Sequence, residues 1–197
     1  MQDEFLQALV WTDYRLAVLF AVLVPLILLI WAFVQKADAI VRLLIIYWRV
    51  ASLLMITVYI LIAGWPIGFV SGFCAHILIP VSLWFWVDLN EDIDDRPATP
   101  LKLTLTSWRW AITIYSALSA ILSFPALACG FVPENIQQFS CQVWREPPLL
   151  YKQYFHPNAT PGLLGFMGMV GLIAYVLYLS YFVLIRLGKQ GRSAMEQ

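Results

Sequence analysis

Apolar residues occur in long blocks separated by short polar segments, and five of these blocks are long enough to cross a membrane. A helix covers the roughly 30 Å hydrocarbon core of a bilayer in about 20 residues. The predicted spans lie near residues 16–34, 43–63, 67–87, 108–128 and 162–185. The stretch 43–87 is too long for one span, and Gly64, Trp65 and Pro66 divide it in two. The pattern predicts an all-α, polytopic transmembrane helix bundle that forms a single domain over residues 1–197.

Positively charged residues indicate which side of the membrane each polar segment occupies, because short cytoplasmic loops are enriched in Lys and Arg. With five spans, nine of the 12 basic residues fall on one side and three on the other. The larger group includes Lys189 and Arg192 of the tail. We therefore expect the N-terminus outside and the C-terminus inside. Residues 88–106 then form an inner acidic loop, and residues 129–161 form an outer loop.

Composition narrows the class of protein and of partner. Hydrophobic residues make up 61% of the chain and charged residues 12%, against roughly 25% charged residues in an ordinary soluble domain. The 12 basic and 12 acidic residues balance, so a nucleic-acid partner, which binds basic surfaces, has no electrostatic support. The partners that we expect are the lipid bilayer and other membrane-protein subunits.

A dense group of polar side chains follows the third span. It consists of Asp88, Asn90, Glu91, Asp92, Asp94 and Asp95. Clustered carboxylates bind hard cations such as Mg²⁺, and membrane enzymes that act on prenyl diphosphates use Asp-rich motifs in this way. Those enzymes need two acidic motifs, whereas this chain has one. We favour a solvated acidic loop that contacts cations or a partner protein.

Two arginines stand out in the second span. Arg42 and Arg49 are seven residues apart, so they lie on nearly the same face of a helix. A charge inside a membrane is costly unless it is paired or reaches the headgroups. We expect a buried ion pair in which these arginines contact Asp88, Glu91 or Asp92. The alternative is that Arg49 reaches an anionic lipid headgroup.

His76 is the only histidine within a predicted span. The favoured interpretation is a hydrogen-bonded core histidine, and the alternative is an axial ligand to a pigment. No cofactor is predicted on this basis; chlorophyll or carotenoid is the alternative.

Cys129 and Cys141 both fall in the predicted outer loop, 12 residues apart. An oxidising compartment on that side of the membrane permits a disulfide between them. Two unlinked thiols are the alternative.

Four glycines in the fifth span predict close helix packing, since small residues let helix backbones approach each other in lipid. They are Gly162, Gly165, Gly168 and Gly171. The fourth span offers a small-residue face of Ser116, Ala120 and Ser123 as their candidate partner.

Three sequence runs carry a resemblance to a known family: LVWTDYRLAVLF at 9–20, WFWVDLNEDI at 84–93 and LYLSYFVLIRLG at 177–188. The chain resembles, over nearly its whole length, a family of uncharacterised integral membrane proteins of cyanobacteria with plastid relatives. The resemblance implies a thylakoid or plasma-membrane location and a link to photosynthetic membrane complexes. It assigns no role to any residue.

No motif in the chain identifies a reaction. There is no P-loop, GxSxG, HExxH or CxxC, and the predicted spans hold no carboxylate of the kind that proton-coupled transporters use. We therefore assign no catalytic residue and no metal site. We expect a non-catalytic accessory or assembly factor, or a minor subunit, of a membrane complex. The alternatives are an enzyme acting on a prenyl or lipid diphosphate and a small transporter or pigment carrier.

Overall fold

The structure is a computed structural model that describes residues 2–187. Every regular element in that range is a helix, and the range contains no strand. The all-α prediction is therefore confirmed. Lys189 and Arg192, which contributed to the predicted charge bias, lie outside the described residues.

Long helices form the bundle, and short ones form the segments between them. The first helix, α1, consists of Gln2–Ala17, a π-helical segment Val18–Leu23 and Val24–Val34; α2 is Asp38–Ala63, α3 is Ile67–Trp84, α4 is Val87–Asp95 and α5 is Pro100–Ser123. Three short helices follow, α6 at Leu127–Phe131, α7 at Phe139–Gln142 and α8 at Glu146–Phe155, with 3₁₀ turns at Pro133–Gln137 and Val143–Arg145. The last helix, α9, is Pro161–Tyr181 and continues as a π-helical segment, Phe182–Arg186.

The number of membrane-crossing helices agrees with the sequence pattern. Within the described range, α1, α2, α3 and α9 are each long and apolar enough to cross a membrane. The fifth candidate is α5 together with Pro125–Phe131, which meet the same criteria as a pair bent by 52°. The prediction of about five spans is thus confirmed. The side of the membrane on which each terminus lies stays a prediction.

Two long helices begin eight or more residues before their predicted spans. α1 begins at Gln2 instead of residue 16, and α5 begins at Pro100 instead of residue 108. At α5, the Thr99 side chain accepts a hydrogen bond from the Lys102 backbone N–H at 3.2 Å. Proline suits the first helical turn, where its missing N–H is not needed. The apolar run therefore indicates how much of the helix faces lipid, whereas the capping residues indicate where the helix begins.

Much of both predicted loops is helical. α4 lies mostly in the predicted acidic loop 88–106, and α7 and α8 lie in the predicted loop 129–161. α4 forms because Leu89 and Ile93, one helical turn apart, are fully buried in the main core, where α4 packs against α2. Apart from Val87, the remaining side chains of this helix are polar, which is why hydropathy alone assigned the segment to a loop.

The long helices run the length of the bundle. α3 packs against α2 and α5, α1 packs against α2 and α5, and α9 packs along α2. Trp84, the last residue of α3, donates a hydrogen bond to Thr113 of α5 at 2.9 Å. Phe73, near the start of α3, contacts Phe124, just beyond the end of α5, with ring centroids 6.1 Å apart. α5 therefore runs antiparallel to α3 from one end of the bundle to the other.

Candidate functional site

A polar cluster is buried where α1, α3 and α5 meet. Its centre is Asp13, which is only 8% exposed. Ser119 donates a hydrogen bond from its hydroxyl to a carboxylate oxygen of Asp13. The Tyr115 hydroxyl donates to the Asp13 backbone carbonyl at 3.1 Å. We call Asp13, His76, Tyr115, Ser116 and Ser119 the Asp13 cluster.

His76 supplies the α3 side of this cluster. It lies near the middle of the 18-residue helix and is 8% exposed. Its ring meets that of Tyr115 edge-on, with centroids 5.9 Å apart, and it is close enough to Asp13 for an electrostatic interaction. Among the described residues, neither His76 Nδ1 nor the buried hydroxyl of Ser116 has a hydrogen-bond partner. The hydrogen bond expected of a core histidine is thus not made at Nδ1.

Asp13 supplies a buried carboxylate that precedes the first predicted span, residues 16–34. The candidate membrane-crossing helix extends over Asp3–Val34 and so includes Asp13. Hydropathy placed Asp13 outside the first span because Asp13 and Arg15 interrupt the apolar run. Val10, three residues earlier and fully buried, lies on the same helix face. That amphipathic spacing was the available signal. A buried carboxylate and imidazole inside a bundle are the groups that bind a proton or a small cation.

A second buried charge lies at the other end of the bundle. Arg109 is 2% exposed. Its Nη2 donates to the side-chain oxygen of Asn90 at 2.8 Å and to the Leu83 carbonyl at 3.2 Å. Its guanidinium carbon lies 4.1 Å from the centroid of the Trp84 ring, within the range of a cation–π contact. Arg109 therefore ties α5 to α4 and to the end of α3, a role that the sequence analysis did not assign.

The acidic side chains of α4 do not form a metal site. Glu91, Asp94 and Asp95 are exposed, and no group of three or more His, Cys, Asp or Glu among residues 2–187 is arranged to hold a metal ion. The helical repeat explains this, because it distributes successive carboxylates around α4. Lys102 Nζ donates instead to the backbone carbonyls of Asp94 at 2.6 Å and Arg96 at 2.8 Å. These hydrogen bonds supply a donor to carbonyls at the C-terminal end of the helix, which have no partner within it. The acidic segment is thus a capped helix with polar residues toward solvent.

The predicted burial of Arg42 and Arg49 is wrong, since both side chains are exposed. The core-facing positions of this part of α2 are occupied by Leu43, Leu44 and Tyr47, which are fully buried. The arginines therefore face outward. Arg49 Nη1 donates to the Tyr178 hydroxyl of α9 at 3.3 Å. The ion pair with the acidic segment stays a prediction.

A folded cap, which we define as residues 125–160, covers one end of the bundle. A disulfide joins Cys129 to Cys141, and both residues are buried. Arg145 Nε donates to the carbonyl of Leu61, in the last turn of α2, at 3.1 Å. Burial lowers the pKa of Arg145, although its guanidinium remains charged at neutral pH. Gly64 has a φ of 74°, and a Cβ at that position would lie 2.6 Å from Arg145 Nη2.

The cap is also attached to α1 and to the side of α2. Glu146 of α8 accepts hydrogen bonds from Gln7 Nε2 at 2.8 Å and from Trp11 Nε1 at 2.9 Å. Tyr59 of α2 is hydrogen-bonded to His156 Nε2 at 2.7 Å. These contacts, with the disulfide, fix the cap in one position on the bundle.

Close packing of α9 involves part of the glycine set. A Cβ at Gly165 would collide with Ala63 Cβ, and a Cβ at Gly168 would lie 2.9 Å from Ile60 Cγ1 and 3.1 Å from the Ile60 backbone nitrogen. Gly171 has more room, with Ile56 Cγ1 at 3.3 Å.

Two expectations about these glycines require correction. Gly162 does not take part in packing, because a Cβ there would meet no atom within 4 Å. It lies in the first turn of α9, beyond the last residue of α2, Ala63, which lies opposite Gly165. The glycine face packs against α2, not against the Ser116, Ala120 and Ser123 face of α5. Ser116 is fully buried, and the Ser123 hydroxyl donates to the Ala120 carbonyl of its own helix.

Comparison with known proteins gives one relationship. No curated protein and no solved structure matches the chain. One family model matches residues 7–195, which include the Asp13 cluster, Arg109, the cap and all the long helices except the first five residues of α1. Because the match covers nearly the whole chain, this multi-pass membrane protein belongs to the family described as "Protein of unknown function (DUF3177)".

Proposed function

We propose that this protein is a non-catalytic accessory or assembly factor, or a minor subunit, of a membrane-protein complex, and that it docks through its cap. The observation that carries the proposal is the exposure of aromatic side chains on a segment that is otherwise firmly attached. Tyr154 is 76% exposed and Phe155 is 67% exposed, and both lie on α8. Large exposed aromatic residues are characteristic of binding surfaces, where they supply most of the binding energy.

The attachment of α8 supports this proposal. Glu146, in its first turn, is held by Gln7 and Trp11 of α1, and the ring of Phe155 stacks on Tyr151 with centroids 4.7 Å apart. A surface that is already ordered loses little conformational entropy when it binds. The exposed aromatic rings are therefore presented on a preorganised helix rather than on a flexible loop.

The expected partner is another membrane-protein subunit. The proposal places the complex in a thylakoid or plasma membrane, with a photosynthetic complex as the specific case. Chlorophyll or carotenoid would then be found in the assembled complex rather than on His76, whose ring is buried between helices. An absorption spectrum of the purified complex tests the pigment part of the proposal.

A native gel of mild detergent extracts tests docking. The wild-type chain is expected to migrate in a complex larger than its own 22.5 kDa. The double variant Tyr154→Ser/Phe155→Ser should migrate as the free chain, with a melting temperature close to that of the wild type because both side chains are exposed. The control is Leu103→Ser, which removes a 70% exposed apolar side chain near the other end of the bundle. A wild-type chain that migrates only as the free species, or a double variant that stays in the complex, would contradict docking through α8.

The Asp13 cluster supports a second candidate function, proton-coupled transport. The specific observation is the buried carboxylate of Asp13 beside His76 within membrane-crossing helices. Purified protein in liposomes that contain a pH-sensitive dye should pass protons down an imposed gradient, and Asp13→Asn should abolish this flux. Equal flux in the wild type, the variant and protein-free liposomes would remove this candidate.

A further inference from the structure

A groove of about 360 Å³ opens on the lipid-facing side of the bundle between α2, α3 and α9. Its walls are mainly apolar and include Ile45, Val81, Leu179 and Phe182. It lies within helices that cross the membrane, so its apolar walls face hydrocarbon. Such a groove accommodates an acyl chain in preference to a water-soluble ligand.

Two positive charges line the same groove, and its lining includes no carboxylate. Arg42 and Arg49 are seven residues apart on α2, which separates their Cα atoms by about 10 Å along the helix axis. Side chains of an α-helix lean toward its N-terminus, so Arg49 leans toward Arg42 and toward the membrane surface near residue 38. Both arginines therefore line one side of the same groove.

These charges have few partners within the chain. Among residues 2–187, the guanidinium of Arg49 donates to the Tyr178 hydroxyl at 3.3 Å, whereas that of Arg42 makes no hydrogen bond. Tyr175 also lines the groove, and its buried hydroxyl has no hydrogen-bond partner among the described residues. A guanidinium group in an apolar environment is stabilised by an anion, and its planar set of donors fits a phosphate.

We propose that this groove binds an anionic membrane phospholipid. The lipid phosphate lies between Arg42 and Arg49, and one acyl chain follows the apolar wall formed by α3 and α9. This site is independent of the α8 surface, so either proposal can fail without the other.

Native mass spectrometry of the detergent-purified chain, with phosphatidylglycerol and phosphatidylcholine added in equal amounts, tests the site. The wild type should retain phosphatidylglycerol preferentially. Arg42→Gln/Arg49→Gln should lower the retained phosphatidylglycerol about 30-fold, from the usual contribution of each basic residue near an anionic lipid. Arg15→Gln is the matched control, because this exposed arginine does not line the groove, and it should retain the lipid. Equal retention of both lipids by the wild type, or undiminished phosphatidylglycerol on the double variant, would overturn the proposal.

A second variant separates the groove from surface charge. Val81 is half exposed on the groove wall, and Val81→Trp fills space there without changing any charge. Retained phosphatidylglycerol should fall in this variant as well. If Val81→Trp retained the lipid fully while the arginine variant lost it, the lipid would be held by charge at the surface, and the groove would be excluded as its site.

Discussion

At the scale of single residues, two buried charges depend on a small number of hydrogen bonds. Asp13 accepts from the Ser119 hydroxyl through its carboxylate, and Arg109 donates to Asn90 and to the Leu83 carbonyl. A buried charge that loses a partner retains the full cost of its desolvation. The neutral partners are therefore the most informative positions to change.

Removal of the Ser119 hydroxyl should destabilise the bundle. Ser119→Ala takes away the donor to the Asp13 carboxylate, which should lower the free energy of unfolding by about 1–3 kcal/mol. The control is Ser52→Ala, an exposed serine that donates only to the Arg49 carbonyl of its own helix. Thermal unfolding in detergent measures both variants. Equal melting temperatures for the two would contradict a structural role for the Asp13 contact.

Removal of the Asn90 side chain should have a similar effect at the other end of the bundle. Asn90→Ala withdraws an acceptor from the buried Arg109, and hydrogen bonds to charged groups contribute about 1.5–3 kcal/mol. Asp95→Ala, at an exposed position of the same helix, should leave the midpoint of chemical unfolding unchanged. If Asn90→Ala unfolded at the wild-type midpoint, Arg109 would not be what holds α4 in place.

Residues of this kind are hard to identify from the sequence, because hydropathy assigns charged residues to loops. Asp13 and Arg109 lie at the edges of apolar runs, and nothing in the local composition shows that the helix continues past them or which helix lies opposite. For Arg42 and Arg49 the sequence predicted burial, but the structure shows both side chains exposed. Their shared face follows from the helical repeat, but whether that face meets the core depends on Leu43, Leu44 and Tyr47.

At the scale of helices, α9 is held by close contact between backbones. A Gly→Ala change raises helix propensity by about 1 kcal/mol, so only steric conflict can make it destabilising inside a helix. Gly168→Ala would place a Cβ against the backbone nitrogen of Ile60, which cannot move aside as a side chain can. We expect a loss of about 1–3 kcal/mol.

The matched control for Gly168→Ala is Gly162→Ala in the same helix. A Cβ at Gly162 meets nothing within 4 Å, so this variant should be as stable as the wild type or slightly more stable. Unfolding monitored by circular dichroism in detergent compares the two. If both alanine variants unfolded at the same midpoint, the proposed packing of α9 on α2 would be incorrect.

The cap should depend on its disulfide. Cys129 and Cys141 are separated by 12 positions, and closure of a loop of about that length contributes roughly 3 kcal/mol. Cys129→Ser/Cys141→Ser should therefore lower the unfolding midpoint, and a reductant should do the same to the wild type. Cys74→Ser, at an exposed free cysteine, is the control. A wild-type midpoint that does not respond to reductant would contradict a structural disulfide.

The sequence predicted elements better than it predicted their partners. Apolar runs located the lipid-facing parts of the long helices, because crossing hydrocarbon requires a minimum length. The same rule gave no information about α4, whose burial depends on Leu89 and Ile93 alone. Glycine spacing showed that α9 has a small-residue face, but a small face fits several neighbours, and α2 was not distinguishable from α5 in advance.

At the scale of the whole molecule, the contacts of α5 show which segments lie at each end of the bundle. Arg109 and Lys102 connect its first half to α4, whereas the segment beyond its end leads through Cys129 into the cap. Gly130 approaches Val70 and the carbonyl of Pro66 near the start of α3. α4 and the cap therefore lie at opposite ends of the bundle, and a membrane crossed by the other long helices must separate them.

Cysteine labelling with a membrane-impermeant reagent tests this arrangement most directly. Ala98→Cys, between α4 and α5, and Asn158→Cys, between α8 and α9, are introduced separately into a Cys74→Ser background and expressed in intact cells. Both positions are exposed. Asn158→Cys should react from outside, and Ala98→Cys should react only after permeabilisation. Reaction of both positions from the same face would show that α5 does not cross the membrane, and the five-span account would be wrong.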